Sequence, residues 1–125
     1  MSEIPRISEA EWEVMKIFWS RSAPCTAHEI FEALQGFSKW KTNTVKTLIT
    51  RLVKKGALGF QEQRRVYLYF SLVTEEDCIK SEAKTFIRRV FGGALKPMLV
   101  TFLQEEKLSQ EDIAELKQLL EGRKD

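Results

Sequence analysis

The sequence predicts a mainly α fold with one small β-hairpin, organised as residues 1–73, three helices and the hairpin, followed by residues 74–125, three more helices. Apolar residues recur at spacings of three and four in six segments, four of which open on a helix-capping signature. One further segment alternates with period two. Charge also divides along the chain: residues 1–73 carry 11 Lys/Arg against 7 Asp/Glu, and residues 74–125 carry 9 against 11.

Ser8-Glu9-Ala10-Glu11 has the capping-box form, in which hydroxyl and carboxylate satisfy free amides at a helix start. Ala10, Val14, Met15, Phe18 and Trp19 then form one apolar stripe, until Arg21 to Pro24 interrupts it. Thr26-Ala27-His28-Glu29 repeats the capping pattern, and Ile30, Phe31 and Leu34 give a short second helix before Gly36. After a linker from Phe37 to Lys41, Val45, Leu48, Ile49, Leu52 and Val53 define a third helix, closed by Gly56. Its opposite face carries Asn43, Thr44, Lys46, Thr47, Thr50, Arg51 and Lys54 with no carboxylate. Thr and Asn are mediocre helix formers, so this face gains nothing locally from them; they are short hydrogen-bonding groups able to approach an anionic surface.

No acidic residue occurs between Glu32 and Glu62, a stretch that also holds Lys39, Lys41 and Lys55, so a phosphate partner is expected, with a merely solvated helix face as the alternative. Ala57 to Gln61 and Val66 to Ser71 read as strands around Glu62 to Arg65. A basic outward-facing helix followed by a hairpin tipped with Arg64 and Arg65 is the pattern of a winged helix-turn-helix, whose wing rests on the backbone or in the minor groove. The turn holds neither Gly nor Asn, which leaves its type open.

Beyond residue 73, Thr74-Glu75-Glu76-Asp77 caps a helix striped by Ile79, Ala83, Phe86, Ile87, Val90 and Phe91, ended by Gly92-Gly93. Leu95, Met98, Leu99, Phe102 and Leu103 form the next stripe, and Ser109-Gln110-Glu111-Asp112 caps a last helix with Ile113, Leu116, Leu119 and Leu120. No further layer is left to cover these side chains, so residues 74–125 are expected to form a homodimer. Folding back onto the first three helices is the alternative.

A 43% hydrophobic, 30% charged composition is that of a globular chain. The longest apolar run, Val66 to Phe70, is far short of the ~20 residues of a membrane span. Glu3 and Arg6 leave no signal-type apolar segment, so a cytoplasmic location without direct membrane association is expected. Cys25 and Cys78 are expected to stay reduced. A single histidine, His28, and the absence of a Gly-rich phosphate loop argue against catalysis, and no cofactor is expected. Cys25 and His28 have a metal-like spacing but lack the further ligands a site needs. Trp12, Trp19 and Trp40 are expected in the core, with Trp40 alternatively reaching a DNA backbone.

Ile7-Ser8-Glu9-Ala10-Glu11-Trp12-Glu13-Val14-Met15 and the stretch from Trp40 to Gly56, WKTNTVKTLITRLVKKG, closely resemble the penicillinase repressor family, BlaI/MecI. The likeness runs through nearly the whole chain, including Val66-Tyr67-Leu68-Tyr69 and the segment from Leu108 to Leu116. The resemblance implies a dimeric winged-helix repressor whose operator binding blocks a β-lactam resistance operon and its own gene. It also implies a partner, a membrane sensor with a cytoplasmic metalloprotease domain, that relieves repression by having the repressor cut. Operator-contacting positions of the family map onto Lys41, Thr42, Asn43, Thr44, Lys46 and Thr47, with Arg51 nearby. Two departures stand out. Relatives commonly open that helix with Ser-Pro-Lys-Thr where this chain has Lys41-Thr42-Asn43-Thr44, and the family's Asn-Phe cleavage bond aligns with Thr101-Phe102. A copper-responsive branch with a cysteine-rich tail is disfavoured by the ending from Leu120 to Asp125. A winged helix used as a protein-interaction module, or a family repressor of an unrelated operon, remains the rival reading.

Overall fold

The structure, a computed structural model, describes residues 4–36 and 39–123; Phe37 and Ser38 of the expected linker, and the last two residues, lie outside them. Its elements are α1 (Glu9–Ser20), α2 (Ala27–Leu34), α3 (Thr42–Lys55), β1 (Leu58–Gln63), β2 (Val66–Ser71), α4 (Glu75–Phe91), α5 (Leu95–Glu105) and α6 (Gln110–Glu121). The chain divides into two compact units, Met1–Glu82 and Ala83–Asp125. This division falls inside α4, past the boundary after Val73 read from the sequence, because Cys78 on the first turns of α4 is buried in the core of the first unit.

In the first unit both capping boxes close as their residues dictate. Ser8 Oγ accepts from the Glu11 amide at 3.1 Å while Glu11 Oε1 accepts from the Ser8 amide at 2.8 Å, and Thr26 and Glu29 repeat the exchange. The stripes Val14, Met15 and Phe18 of α1, Ile30 and Leu34 of α2, and Val45, Leu48, Ile49 and Leu52 of α3 are buried together with Leu58 in one core. Gly56 ends α3 in the left-handed region at φ 86°, where a side chain would be strained, and its amide donates back to Leu52 and Val53.

The hairpin pairs antiparallel from Leu58↔Ser71 to Gln63↔Val66, so the ladder runs two residues further than expected on β1 and leaves only Arg64-Arg65 as the turn. Gly59 makes room for its cross-strand partner: a Cβ there would lie 2.8 Å from the Phe70 ring. Cys25, before α2, exchanges both backbone hydrogen bonds with Tyr69 at 2.9 and 2.8 Å, adding a one-residue third strand to β2. Trp19 Nε1 donates to the Val73 carbonyl at 3.0 Å and to Ser71 Oγ at 3.2 Å, and its ring meets Trp12 edge-on, which ties α1 to the exit of β2. Trp40 packs against the core.

The second unit is built differently. Phe86 stacks on Phe102 and meets Phe91 edge-on, but no described residue from Ala83 onward is fully buried. Leu99, Leu103, Leu108, Ile113, Leu116, Leu119 and Leu120 line an open apolar groove of about 360 Å³. Among the described residues no helix is long and apolar enough to cross a membrane.

Candidate nucleic-acid interface

All ten residues expected to meet DNA, Lys41, Thr42, Asn43, Thr44, Lys46, Thr47, Arg51, Lys54, Arg64 and Arg65, are exposed on the first unit. The first eight lie on α3 or at its N-cap. Lys41 occupies that cap without a side-chain bond, and the first turn holds no carboxylate, so nothing negative competes at a helix end that favours anions. Thr47 Oγ1 donates to the Asn43 carbonyl and Thr50 Oγ1 to the Lys46 carbonyl, both at 2.9 Å, which fixes these side chains on the helix wall.

Lys55 departs from the positive surface read from the sequence. Its Nζ turns back to the Glu11 carboxylate and donates to the Arg6 carbonyl at 2.9 Å. Glu11, only 1% exposed, thus joins the start of α1 to the last turn of α3. Burial pushes its carboxyl up, but Lys55 and the Ser8 amide and hydroxyl outweigh it and hold the group below the ordinary value. The capping box announced Glu11; nothing local announced its distant partner, which lies 44 residues along the chain.

At the wing tip Arg64 and Arg65 have φ of 50° and 67°. Positive φ at both central residues is the mark of a type I′ hairpin turn, which normally takes Asn-Gly. Two side chains accepted in the left-handed region place two guanidinium groups at the tip. A feature that sequence reasoning missed lies behind them: Phe60, Tyr67 and Tyr69 share one face of the hairpin and, with Thr50 and Val53 of α3, line a shallow cleft. The register would have grouped these rings, since Phe60 pairs with Tyr69.

Other candidates resolve into structural roles. Cys25 and Cys78 are free and buried, with the Cys78 thiol pushed up by burial and by Asp77. His28 is exposed and pairs with Glu32 at 2.8 Å. Among the described residues no group of three or more His, Cys, Asp or Glu is placed to hold a metal ion. In the second unit Phe86, Phe91, Leu99 and Ile113 are half-buried, whereas Val90, Leu95, Phe102, Leu103, Leu116 and Leu120 are exposed. Thr101 is exposed within α5, its hydroxyl donating to the Pro97 carbonyl at 2.9 Å.

Comparison with known proteins places this geometry. The family model described as penicillinase repressor matches residues 7–122. The chain is 40% identical over 124 residues to the penicillinase repressor of Bacillus licheniformis, covering 99% of this chain and 96% of that protein. It is 40% identical over 114 residues to the methicillin resistance regulatory protein MecI of Staphylococcus aureus (strain N315), covering 91% and 92%. Two solution structures are similar at 40% identity, each covering 62% of this chain and 93% of the other: the DNA-binding domain of the repressor BlaI, with TM-score 0.54, and the monomeric form of Bacillus licheniformis BlaI in complex with the blaP half-operator, with TM-score 0.53. With its carboxylate-free α3, its arginine-tipped hairpin and a match through nearly its whole length, the chain belongs to the penicillinase repressor family.

Proposed function

We propose that the protein is a transcriptional repressor that binds a pseudo-palindromic operator as a homodimer, one α3 per half-site in successive major grooves, and represses by occlusion in the cytoplasm. The observation that carries this reading is the exposed α3 face, Lys41 to Lys54, basic and without a carboxylate, in a chain 40% identical to a BlaI whose structure contains a half-operator. Lys46, Asn43 and Thr47 read base edges, while Lys54, Arg51 and the wing arginines hold phosphates. The apolar face of the second unit, Phe86, Val90, Phe91, Leu95, Leu99, Phe102, Leu103, Ile113, Leu116 and Leu120, supplies the dimer contact. The regulated genes are a β-lactam resistance operon, and a membrane sensor metalloprotease relieves repression through cleavage between Thr101 and Phe102.

Selection of duplexes from a random pool by the full chain, followed by salt titration, tests the core of this reading. With about four phosphate contacts per protomer, log K against log salt should have a slope near −7. A flat response with no duplex selected would sink it in favour of a protein-interaction module.

A further inference from the structure

Between α3 and the hairpin lies a cleft of about 140 Å³ whose lining is Thr50, Val53, Phe60, Tyr67 and Tyr69. The Phe60 ring lies 5.2 Å from Tyr67 and 6.2 Å from Tyr69, centroid to centroid, and the tyrosines are 6.4 Å apart. These rings touch one another, yet Phe60 remains 51% and Tyr67 49% exposed. A cluster of large rings left half in water forgoes much of the burial that such side chains contribute. Neither tyrosine hydroxyl has a hydrogen-bond partner among the described residues.

The position of the cleft identifies what covers it. Thr50 sits one helical turn from both Lys46 and Lys54, at the middle of the polar face of α3. On the other side, the Glu62↔Tyr67 pair lies one ladder step from Gln63↔Val66 and the Arg64-Arg65 turn. A duplex that meets both α3 and the wing tip therefore passes over the cleft. Glu62, across the ladder from Tyr67 on the same face, is the only carboxylate between Glu32 and Glu75, and Lys46, Lys54, Arg64 and Arg65 outnumber it around the cleft. We propose that the cleft seats one sugar–phosphate unit of the bound duplex, with the deoxyribose against Phe60 and a phosphate oxygen accepting from the Tyr67 hydroxyl. Burial, and then the neighbouring Tyr67, push the Tyr69 phenol above its ordinary value. This rests on the operator-binding reading above and adds Phe60 and Tyr67 to the contact surface.

The test uses the full chain and the duplex it selects, synthesised with a methylphosphonate at one phosphate at a time. Tyr67→Phe should weaken binding about tenfold to a hundredfold per protomer, the loss of one hydrogen bond to a charged acceptor. The loss should be equal on selected and random duplex, with an unchanged salt slope because no charge is removed, whereas Lys54→Ala should lower the slope by about one. At one phosphate per half-site, methylphosphonate should weaken the parent protein more than it weakens Tyr67→Phe, and this coupling identifies the contact. Phe60→Leu, which keeps an apolar filling, should weaken binding without lowering the melting temperature. Parent-like affinity of Tyr67→Phe with every phosphate effect retained overturns the proposal while leaving operator binding intact. Failure of the parent chain to select any duplex overturns both.

Discussion

Lys46 and Lys54 lie about two turns apart on the same face of α3 and differ in what they can reach. In the docking proposed above, Lys46, one turn into the helix, meets a guanine edge, and Lys54 in the last turn meets the backbone. Lys46→Ala should therefore cost about 1 to 3 kcal/mol on the selected duplex and little on random duplex, whereas Lys54→Ala should weaken both alike. Binding assays on the two duplexes decide this, and equal losses everywhere would mean that α3 lies the other way in the groove. Lys55, their neighbour, does something else. Removing it by Lys55→Met leaves the Glu11 carboxylate buried without its cation; breaking a fully buried pair costs about 3 to 5 kcal/mol, and because the Lys55 side chain is 35% exposed, water screens the pair and about 1 to 3 kcal/mol is expected. Because the folded protein holds the Glu11 carboxyl below its ordinary value, the ionised form favours folding. That contribution is present above the unfolded value and is lost as pH falls from about 4.5 through the lower folded one. Thermal melts of Glu11→Gln should accordingly decline less steeply than those of the parent between about pH 5 and 3. An identical acid limb in the two proteins would assign the acid sensitivity to other carboxylates. The exposed face of α3 was legible because exposure follows from helical period alone; the Glu11–Lys55 pair was not, since a contact across the fold leaves no mark at either position.

Among the elements, the helices were readable from the chain because both caps and stripes are local properties. The hairpin was readable in its alternating half but not in its turn, since Arg64-Arg65 occupies a conformation normally signalled by Asn-Gly. The strand contributed by Cys25 was invisible, because one residue has no period. The turn pits stability against binding: non-glycine residues in the left-handed region cost on the order of 1 kcal/mol or more each. Replacing Arg64-Arg65 by Asn-Gly should raise stability in denaturant titrations by about 1 kcal/mol. The same variant should lower the salt slope of duplex binding by about two per protomer. Higher stability with an unchanged slope would remove the wing arginines from the interface. Helix α5 presents a comparable weakness. Its N-cap is Ala94 without a side-chain bond, its first turn has no acidic residue and its last no basic one. The cleavage proposed above would need extended chain at Thr101-Phe102, and a helix poor in end stabilisation opens at low cost. Ala94→Ser supplies a cap worth about 1 kcal/mol and should slow cleavage about fivefold if the bond is cut from an opened helix. Mass spectrometry of the repressor from β-lactam-treated cells would follow both proteins, and equal rates would place the opening step elsewhere.

At the scale of the whole molecule, the two units differ in how completely they bury their own apolar residues. The first has a closed core, whereas in the second Val90, Leu95, Phe102, Leu103, Leu116, Leu119 and Leu120 range from 39% to 69% exposed. Covering what remains exposed would contribute about 1 kcal/mol per side chain, roughly half the value for full burial. Counted in two protomers, this is of the same order as the ~4 to 15 kcal/mol that association costs in lost freedom. A dimer formed through this face, as proposed above, would therefore be held by many moderate contacts, and a charge in the groove should unseat it. Leu103→Asp together with Leu120→Asp places two carboxylates in the groove at positions already 51% and 59% exposed, so the protomer fold should survive. Analytical ultracentrifugation should then find monomers, with the melting of the first unit unchanged. Affinity for a single half-site should remain at the parent level, because α3 and the wing belong entirely to the other unit. Affinity for the full operator should fall by about 10² to 10⁴, since the second reading head is no longer delivered at an effective concentration on the order of millimolar. A dimer that persists would move the assembly surface out of the second unit, and a monomer with undiminished operator affinity would mean that each protomer represses by itself.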